Sequence, residues 1–139
     1  MEQQYPKEQE QVETWMTAHF AAGVLPPFSF NYGGKSSSEF LSHWQFSQET
    51  KPLDDVRTEH LFSYTDPQTG LQVCCICEVF ADFPAVEWVV KFFNHGANDT
   101  LIIENVQALD TILTRKEDGE FVVHRALGSS ATKMDFAPV

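Results

Sequence analysis

The chain has 139 residues, 42% of them hydrophobic, so its length suits one globular domain that buries a core without disulfides or metals. Its 20 acidic and 9 basic residues give a formal net charge of −11, which disfavours DNA, RNA and anionic membrane surfaces as partners. Neutral ligands, sugars among them, are compatible with this charge.

The first predicted element is an α-helix from Glu8 to Ala22. Apolar side chains recur there at i, i+3, i+4 and i+8, the spacing of one helix face. These side chains are Val12, Trp15, Met16 and Phe20. We expect this helix to dock through Trp15 on a body of β-strands. Residues 1–26 are therefore interpreted as a helix with a proline linker, and residues 27–139 as a β-sandwich domain.

Strands are predicted after the prolines. Residues 28–32 alternate large and small side chains, as a half-buried strand does, and a glycine pair followed by a serine-rich loop ends them. Residues 39–44 fit either a helical turn or the entrance to a strand. Residues 50–57 are interpreted as a loop because they contain a proline and two adjacent aspartates.

The clearest pattern is a β-hairpin. A strand from Thr58 to Tyr64 leads into the turn residues Asp66–Gly70, and the return strand runs from Leu71 to Phe80. Further strands are predicted at 86–94, 101–114 and 121–124, with turns at 95–99 and 116–119. The fold class is therefore mainly β, an antiparallel β-sandwich with one N-terminal α-helix.

Three cysteines, Cys74, Cys75 and Cys77, lie in one predicted strand. A disulfide between Cys75 and Cys77 would be strained, and no second ligand pair is spaced for zinc. We interpret all three as small apolar strand residues in a reducing, cytoplasmic compartment, and we predict no metal and no cofactor. The polar N-terminus does not resemble a signal peptide, and no apolar run approaches the length of a membrane span.

No catalytic residues are predicted. Glycoside hydrolysis needs two facing carboxylates, but Asp54 and Asp55 are sequence neighbours that would diverge, and Asp82 fits a turn. Aromatic side chains are the better functional candidates, because flat rings serve as platforms for sugars. Tyr32, Trp44, Tyr64 and Trp88 are the candidates. For Trp88 core packing is favoured, whereas for Trp44 both interpretations stay open.

Several segments carry a family resemblance. They are Phe-Ser-Phe-Asn-Tyr-Gly-Gly-Lys-Ser-Ser (28–37), Arg-Thr-Glu (57–59), Ala-Asp-Phe-Pro-Ala-Val-Glu-Trp (81–88), His-Arg-Ala-Leu-Gly-Ser-Ser (124–130) and Asp-Phe-Ala-Pro (135–138). Together they resemble the opening of the α-galactosidases (melibiases) of glycoside hydrolase family 36. The resemblance implies a large N-terminal β-supersandwich, a (β/α)8 barrel with two catalytic aspartates, and a small C-terminal β domain.

The chain matches only part of the N-terminal sandwich of that plan, so the resemblance assigns no catalytic residue here. Loops of that domain can wall the substrate pocket, which makes Tyr32, Lys35, Trp44 and Arg57 the carbohydrate-contact candidates. We expect a non-catalytic β-sandwich with a role in structure, assembly or carbohydrate contact, its ligand a galactoside or another neutral sugar. The alternatives are a free-standing carbohydrate-binding module and a small enzyme with an unrecognised site. A homodimer through exposed β surface is also expected, since an incomplete sandwich leaves an open edge or face.

Overall fold

The computed structural model describes residues 6–114 together with residues 120 and 122. Within them the chain forms one α-helix, seven β-strands and two short 3-10 helices, at Ser37–Glu39 and Leu41–His43. The longer elements are α1 (Pro6–His19), β1 (Ser29–Tyr32), β2 (Lys35–Ser36), β3 (Gln45–Pro52), β4 (Arg57–Thr65), β5 (Leu71–Phe80), β6 (Val86–Asn94) and β7 (Ile103–Gln107).

The strands form two antiparallel sheets, so the mainly β prediction is confirmed. One sheet has the order β2-β1-β7, and the other is a meander with the order β3-β4-β5-β6. The two sheets meet through aromatic rings: Phe28 packs edge-on against Tyr64 at 6.0 Å between centroids, and Phe30 packs against Phe92 at 5.1 Å. The arrangement is a small β-sandwich.

The β4–β5 hairpin is present where it was predicted, and local turn chemistry explains it. The Asp66 carboxylate accepts a hydrogen bond from the Gln68 N–H at 2.9 Å, and the Gly70 N–H donates to the Asp66 carbonyl at 3.0 Å. Gly70 has a φ of 78°, a conformation that glycine adopts without strain. The turn therefore sets the register of the two strands through residues near each other in sequence.

The four-stranded sheet buries one face, which we call the inner face. Side chains alternate across a sheet with a period of two, so this face carries even-numbered residues of β3, β4 and β6 and odd-numbered residues of β5. The β1 sheet covers the half of it around Tyr64 and Phe92. Helix α1 covers the other half, where Phe20 stacks on Phe62 at 4.3 Å and Trp15 stacks on Trp88 at 5.7 Å.

The predicted strand at 101–114 is wrong in length, since β7 spans only Ile103–Gln107. Its partner β1 is short and preceded by prolines, so β7 has no ladder to join beyond Gln107. A β-bulge opposite Phe30 also bends β7, and Asn105 at this bulge has a φ of 49°. The chain beyond β7 runs without regular structure as far as residue 114.

The loop predicted at 50–57 is too long, because β3 continues to Pro52, which pairs with Thr58, and β4 begins at Arg57; only residues 53–56 connect the two strands. The Leu53 N–H donates to the Arg57 carbonyl, so Pro52 occupies a position whose missing N–H would point away from β4. An edge strand tolerates proline at such a position. Of the two interpretations of residues 39–44, the helical turn is the one found, since Leu41–His43 form a 3-10 helix and Glu39 ends another. The turn predicted at 116–119 lies outside the described residues, as does most of the strand at 121–124.

Candidate functional site

A groove of about 710 Å³ lies between α1 and the inner face of β3, β4 and β5. We call it the α1 groove. Helix α1 and the residues after it supply one wall, and the three strands supply the floor and the other wall. Its lining residues are Gln9, Glu13, Met16, Thr17, Phe20, Ala21, Ala22, Phe46, Gln48, Thr58, His60, Phe62, Val79 and Ala81. This volume is within the usual range for small-molecule sites.

The groove exists because α1 does not reach across the whole sheet. The helix packs mainly over β4, β5 and β6, and Gln9 Nε2 fixes it there by donating to the Phe80 carbonyl at 2.8 Å. The inner face of the edge strand β3 is left partly uncovered, so Phe46 and Gln48 line an open wall. Strand alternation then places His60 and Phe62 beside them.

The floor of the groove is aromatic. Three rings stack on Phe62 with small angles between the ring planes. These angles are 9° for Phe20, 7° for His60 and 16° for Phe46. Phe62 is buried beneath Phe20, whereas Phe46 and His60 are only half-buried. The rings that a ligand can contact directly are therefore those of Phe46 and His60.

The rim of the groove is polar, and none of its described lining residues is a lysine or an arginine. Its hydroxyl and amide groups come from Thr17, Thr58 and Gln48, and Glu13 is its one carboxylate among the described lining residues. Burial lowers the pKa of His60, and the ring Nδ1 is hydrogen-bonded with Thr50 Oγ1 at 3.0 Å. The imidazole is therefore uncharged at neutral pH, and the rim suits a neutral ligand better than an anion.

The aromatic carbohydrate candidates are packed into the core and do not form an open platform. Tyr32 is buried, and its hydroxyl donates to Thr69 Oγ1 at 3.1 Å. Trp44 is half-buried and stacks on Phe40 at 5.0 Å between ring centroids. Lys35 is exposed and pairs with Tyr32 across the β1–β2 turn. The structure thus brings Tyr32, Lys35 and Trp44 into one neighbourhood, outside the α1 groove.

Arg57 lies far from these three residues. Trp44 precedes the first residue of β3, whereas Arg57 begins β4 beside the other end of β3, about 25 Å away along the strands. Its guanidinium contacts Asp54 at 2.8 Å and Glu78 at 3.4 Å. The hydrogen bond from Arg57 lowers the pKa of Asp54, which also accepts two backbone N–H groups of the β3–β4 turn. The contacts of Arg57 therefore stabilise the β3–β4 turn.

The cysteines occupy the two faces of β5, as expected for neighbouring strand residues. Cys75 and Cys77 are buried on the inner face with their sulfur atoms 3.6 Å apart, and all three thiols are free. The hydrogen bond with Cys77, together with burial, raises the pKa of Cys75, so its thiol stays protonated at neutral pH. In the described part of the chain, no three His, Cys, Asp or Glu residues are grouped to hold a metal ion.

Comparisons with protein-family models, with curated proteins and with solved structures found no match to this chain. Between residues 6 and 114, no helix has the length and apolar character needed to cross a membrane.

Sequence reasoning missed the α1 groove, although two signals pointed to it. Gln9, Glu13 and Phe20 share the helix face that carries the predicted apolar stripe. Thr58, His60 and Phe62 alternate on one side of the predicted hairpin. The first signal predicts which face of the helix packs on the sheet, and the second predicts which face of the hairpin is covered. Neither predicts that the helix leaves the inner face of β3 uncovered.

Proposed function

We propose that this chain is a non-catalytic β-sandwich domain that contacts a neutral carbohydrate through the α1 groove. The observation that carries the proposal is the composition of the groove. Its described lining residues join half-buried rings to a rim of amide and hydroxyl groups and include no lysine or arginine. A pyranose has complementary surfaces, since its C–H face is apolar and its hydroxyl groups donate and accept hydrogen bonds.

Each part of the groove has a role in this proposal. The rings of Phe46 and His60 pack against the C–H face of the sugar, and Gln48 and Thr58 bond its hydroxyl groups. Glu13 adds a charge-assisted acceptor for a further hydroxyl. The resemblance to family 36 α-galactosidases makes a galactoside the first sugar to test.

The test is an NMR or calorimetric titration of the full chain with methyl galactoside. The Gln48→Ala variant loses one hydrogen bond to the ligand and is expected to bind about fivefold more weakly. Gln45→Ala is the matched control, because Gln45 lies on the same strand but faces away from the groove. Its affinity is expected to equal that of the wild type.

Three results would contradict the proposal: no binding of any neutral sugar at millimolar concentration, an equal loss in both glutamine variants, or cleavage of a galactoside by the purified chain. Galacturonate serves as a charge control. We expect it to bind more weakly than galactose, because its carboxylate is repelled by Glu13 and by the net charge of −11.

A second function, docking onto another domain, is favoured by a separate observation. The segment around β7, residues 101–113, exposes large apolar side chains, and Ile112 is 85% exposed. The others are Leu101, Ile102, Val106, Leu109 and Leu113. Such a concentration of exposed apolar side chains marks an interaction surface.

This second function is tested with a fluorescent apolar probe, anilinonaphthalene sulfonate. The wild-type chain is expected to bind it, and the double variant Leu109→Ser, Ile112→Ser is expected to lose most of the fluorescence. The matched control, Val24→Ser with Leu25→Ser, removes two exposed apolar side chains elsewhere. Equal loss in both double variants would contradict a docking surface at the β7 segment.

A further inference from the structure

Among the strands that the structure describes, β6 is an edge of the four-stranded sheet, with β5 as its neighbour. In an antiparallel pair, alternate residues direct their N–H and C=O groups toward the partner strand, and the others direct them away. The His95 N–H bonds to the Gly70 carbonyl at 3.0 Å, so the odd-numbered residues of β6 face β5. The N–H and C=O groups of Val86, Trp88, Val90 and Phe92 therefore point outward. Between residues 6 and 114, no backbone hydrogen bond reaches these outward groups.

The two edges of this sheet differ in composition. The other edge, β3, reads Gln-Phe-Ser-Gln-Glu-Thr-Lys-Pro and has the charges and the proline that discourage strand pairing. Strand β6 reads Val-Glu-Trp-Val-Val-Lys-Phe-Phe-Asn and is long and apolar. Its face away from the core exposes Val89 and Phe93 by 48% and 42%. A long apolar edge of this kind is a template for another strand.

We infer that β6 pairs antiparallel with β6 of a second copy of this chain, with the two-fold axis at Val89. In this register Val89 lies opposite Val89 of the partner subunit, and Trp88 lies opposite Val90 of the partner subunit. All residues with outward N–H and C=O groups then face one another, with two hydrogen bonds for each such pair. A register shifted by one residue would place outward groups opposite groups already bonded to β5.

Charge selects this register among those that the backbone permits. Centring on Val89 places Glu87 opposite Lys91 of the partner subunit, and Lys91 opposite the partner's Glu87. Centring instead on Trp88 or on Val90 sets both charges opposite apolar residues. No acidic side chain among the described residues forms an ion pair with Lys91. Within its own chain Glu87 lies opposite another carboxylate, Glu78, and the cation that contacts Glu78 at 3.4 Å is Arg57, which forms no ion pair with Glu87.

Charge reversal tests the pairing by sedimentation equilibrium of the full chain in 150 mM salt. The wild type is expected to be a dimer. Glu87→Lys and Lys91→Glu each place like charges opposite one another twice in the dimer, so each is expected to weaken dimerisation about tenfold or more. The double variant carrying both substitutions is expected to restore the dimer. A mixture of the two single variants is expected to form the heterodimer.

Unfolding does not explain loss of the dimer in Glu87→Lys, because that substitution replaces the like-charge pair with Glu78 by an attractive one. Circular dichroism and urea titration of each variant provide the check. We expect the unfolding transition of Glu87→Lys to lie at or above that of the wild type.

A cysteine at position 89 tests the register directly. Val89 would face its symmetry mate in a non-hydrogen-bonded pair, where the Cα separation of about 4.5 Å suits a disulfide. Val89→Cys, in a Cys74→Ser background that removes the neighbouring thiol, is expected to form a covalent dimer on mild oxidation. Lys91→Cys in the same background is expected not to, but to cross-link with Glu87→Cys.

The inference is overturned if the wild-type chain is a monomer at about 100 µM, since another part of the chain or solvent would then occupy the β6 edge. It is also overturned if the dimer is unaffected by both charge reversals. Cross-linking of Lys91→Cys with itself would place the two-fold axis elsewhere and refute the proposed register. The α1 groove lies along β3, so these outcomes are independent of sugar binding.

Discussion

The hydroxyl group of Tyr64 is buried without a hydrogen-bond partner among the described residues. The ring lies in the core, where it contacts Phe28 and Phe46. A buried hydroxyl without a partner loses its bonds to water and gains none, which costs about 1–3 kcal/mol. Tyr64→Phe removes this group and keeps the ring. We therefore expect the free energy of unfolding to rise by about 1 kcal/mol and the melting temperature by about 3 °C.

Tyr32→Phe is the matched control, since it removes the same atom from a tyrosine that does have a partner. The Tyr32 hydroxyl donates to Thr69 Oγ1, which in turn donates to Asp66 at 2.6 Å. Losing this bond is expected to lower the free energy of unfolding by about 1 kcal/mol. Urea titrations at pH 7, followed by tryptophan fluorescence, compare both variants with the wild type. A Tyr64→Phe variant less stable than the wild type would refute the reasoning.

The same tyrosine predicts a dependence on alkaline pH. Burial raises the pKa of Tyr64 above its usual value of 10, so the folded chain retains a proton that the unfolded chain releases. The folded state then binds more protons than the unfolded state, and stability is lost as the pH rises above about 10. Tyr64→Phe is expected to lose stability less steeply than the wild type between pH 9 and 11. Equal slopes of stability against pH in the variant and the wild type would contradict a raised pKa of Tyr64.

Three further outcomes are expected. Gly70→Ala places a Cβ 2.8 Å from the Gly96 nitrogen and should destabilise the chain by about 2 kcal/mol or more. Gly34→Ala is the control, since Gly34 has a similar φ but open space around it, and should cost about 1 kcal/mol. Equal losses of stability in thermal melts of the two variants would contradict the clash. Burial lowers the pKa of His60, so stability should fall as the pH drops through about 6.5, and His60→Gln should flatten that part of a pH–stability profile. Asp54→Ala removes the acceptor of two N–H groups in the β3–β4 turn, so amide hydrogen exchange there should accelerate, while exchange in the β4–β5 turn stays unchanged.

Local interactions explain why the β4–β5 hairpin and α1 could be predicted from the sequence. The hairpin depends on Asp66 and Gly70, which act within a few residues of each other. The helix depends on an apolar period of 3.6 residues, although it ends at His19 rather than at Ala22. The lengths of β3 and β7 depend instead on their partner strands. Pro52 is acceptable only because β3 is an edge, and β7 stops where β1 stops.

The same distinction applies to the candidate site. Tyr32 and Trp44 have the residue type of a sugar platform, but packing of the two sheets buries Tyr32 and leaves Trp44 half-buried against Phe40. Gln48 and His60 lack a recognisable motif, yet the position of α1 leaves them lining a groove. Residue type alone therefore did not predict which side chains are packed into the core and which line the groove.

The order of residues along the chain was sufficient to predict the fold class and the β4–β5 hairpin, because turn chemistry and alternation operate over short stretches of chain. Only the tertiary structure decided which strands are edges and how far α1 extends over the sheet. Those features depend on contacts between residues such as Trp15 and Trp88, which are far apart in sequence, and packing energy rather than local preference selects them.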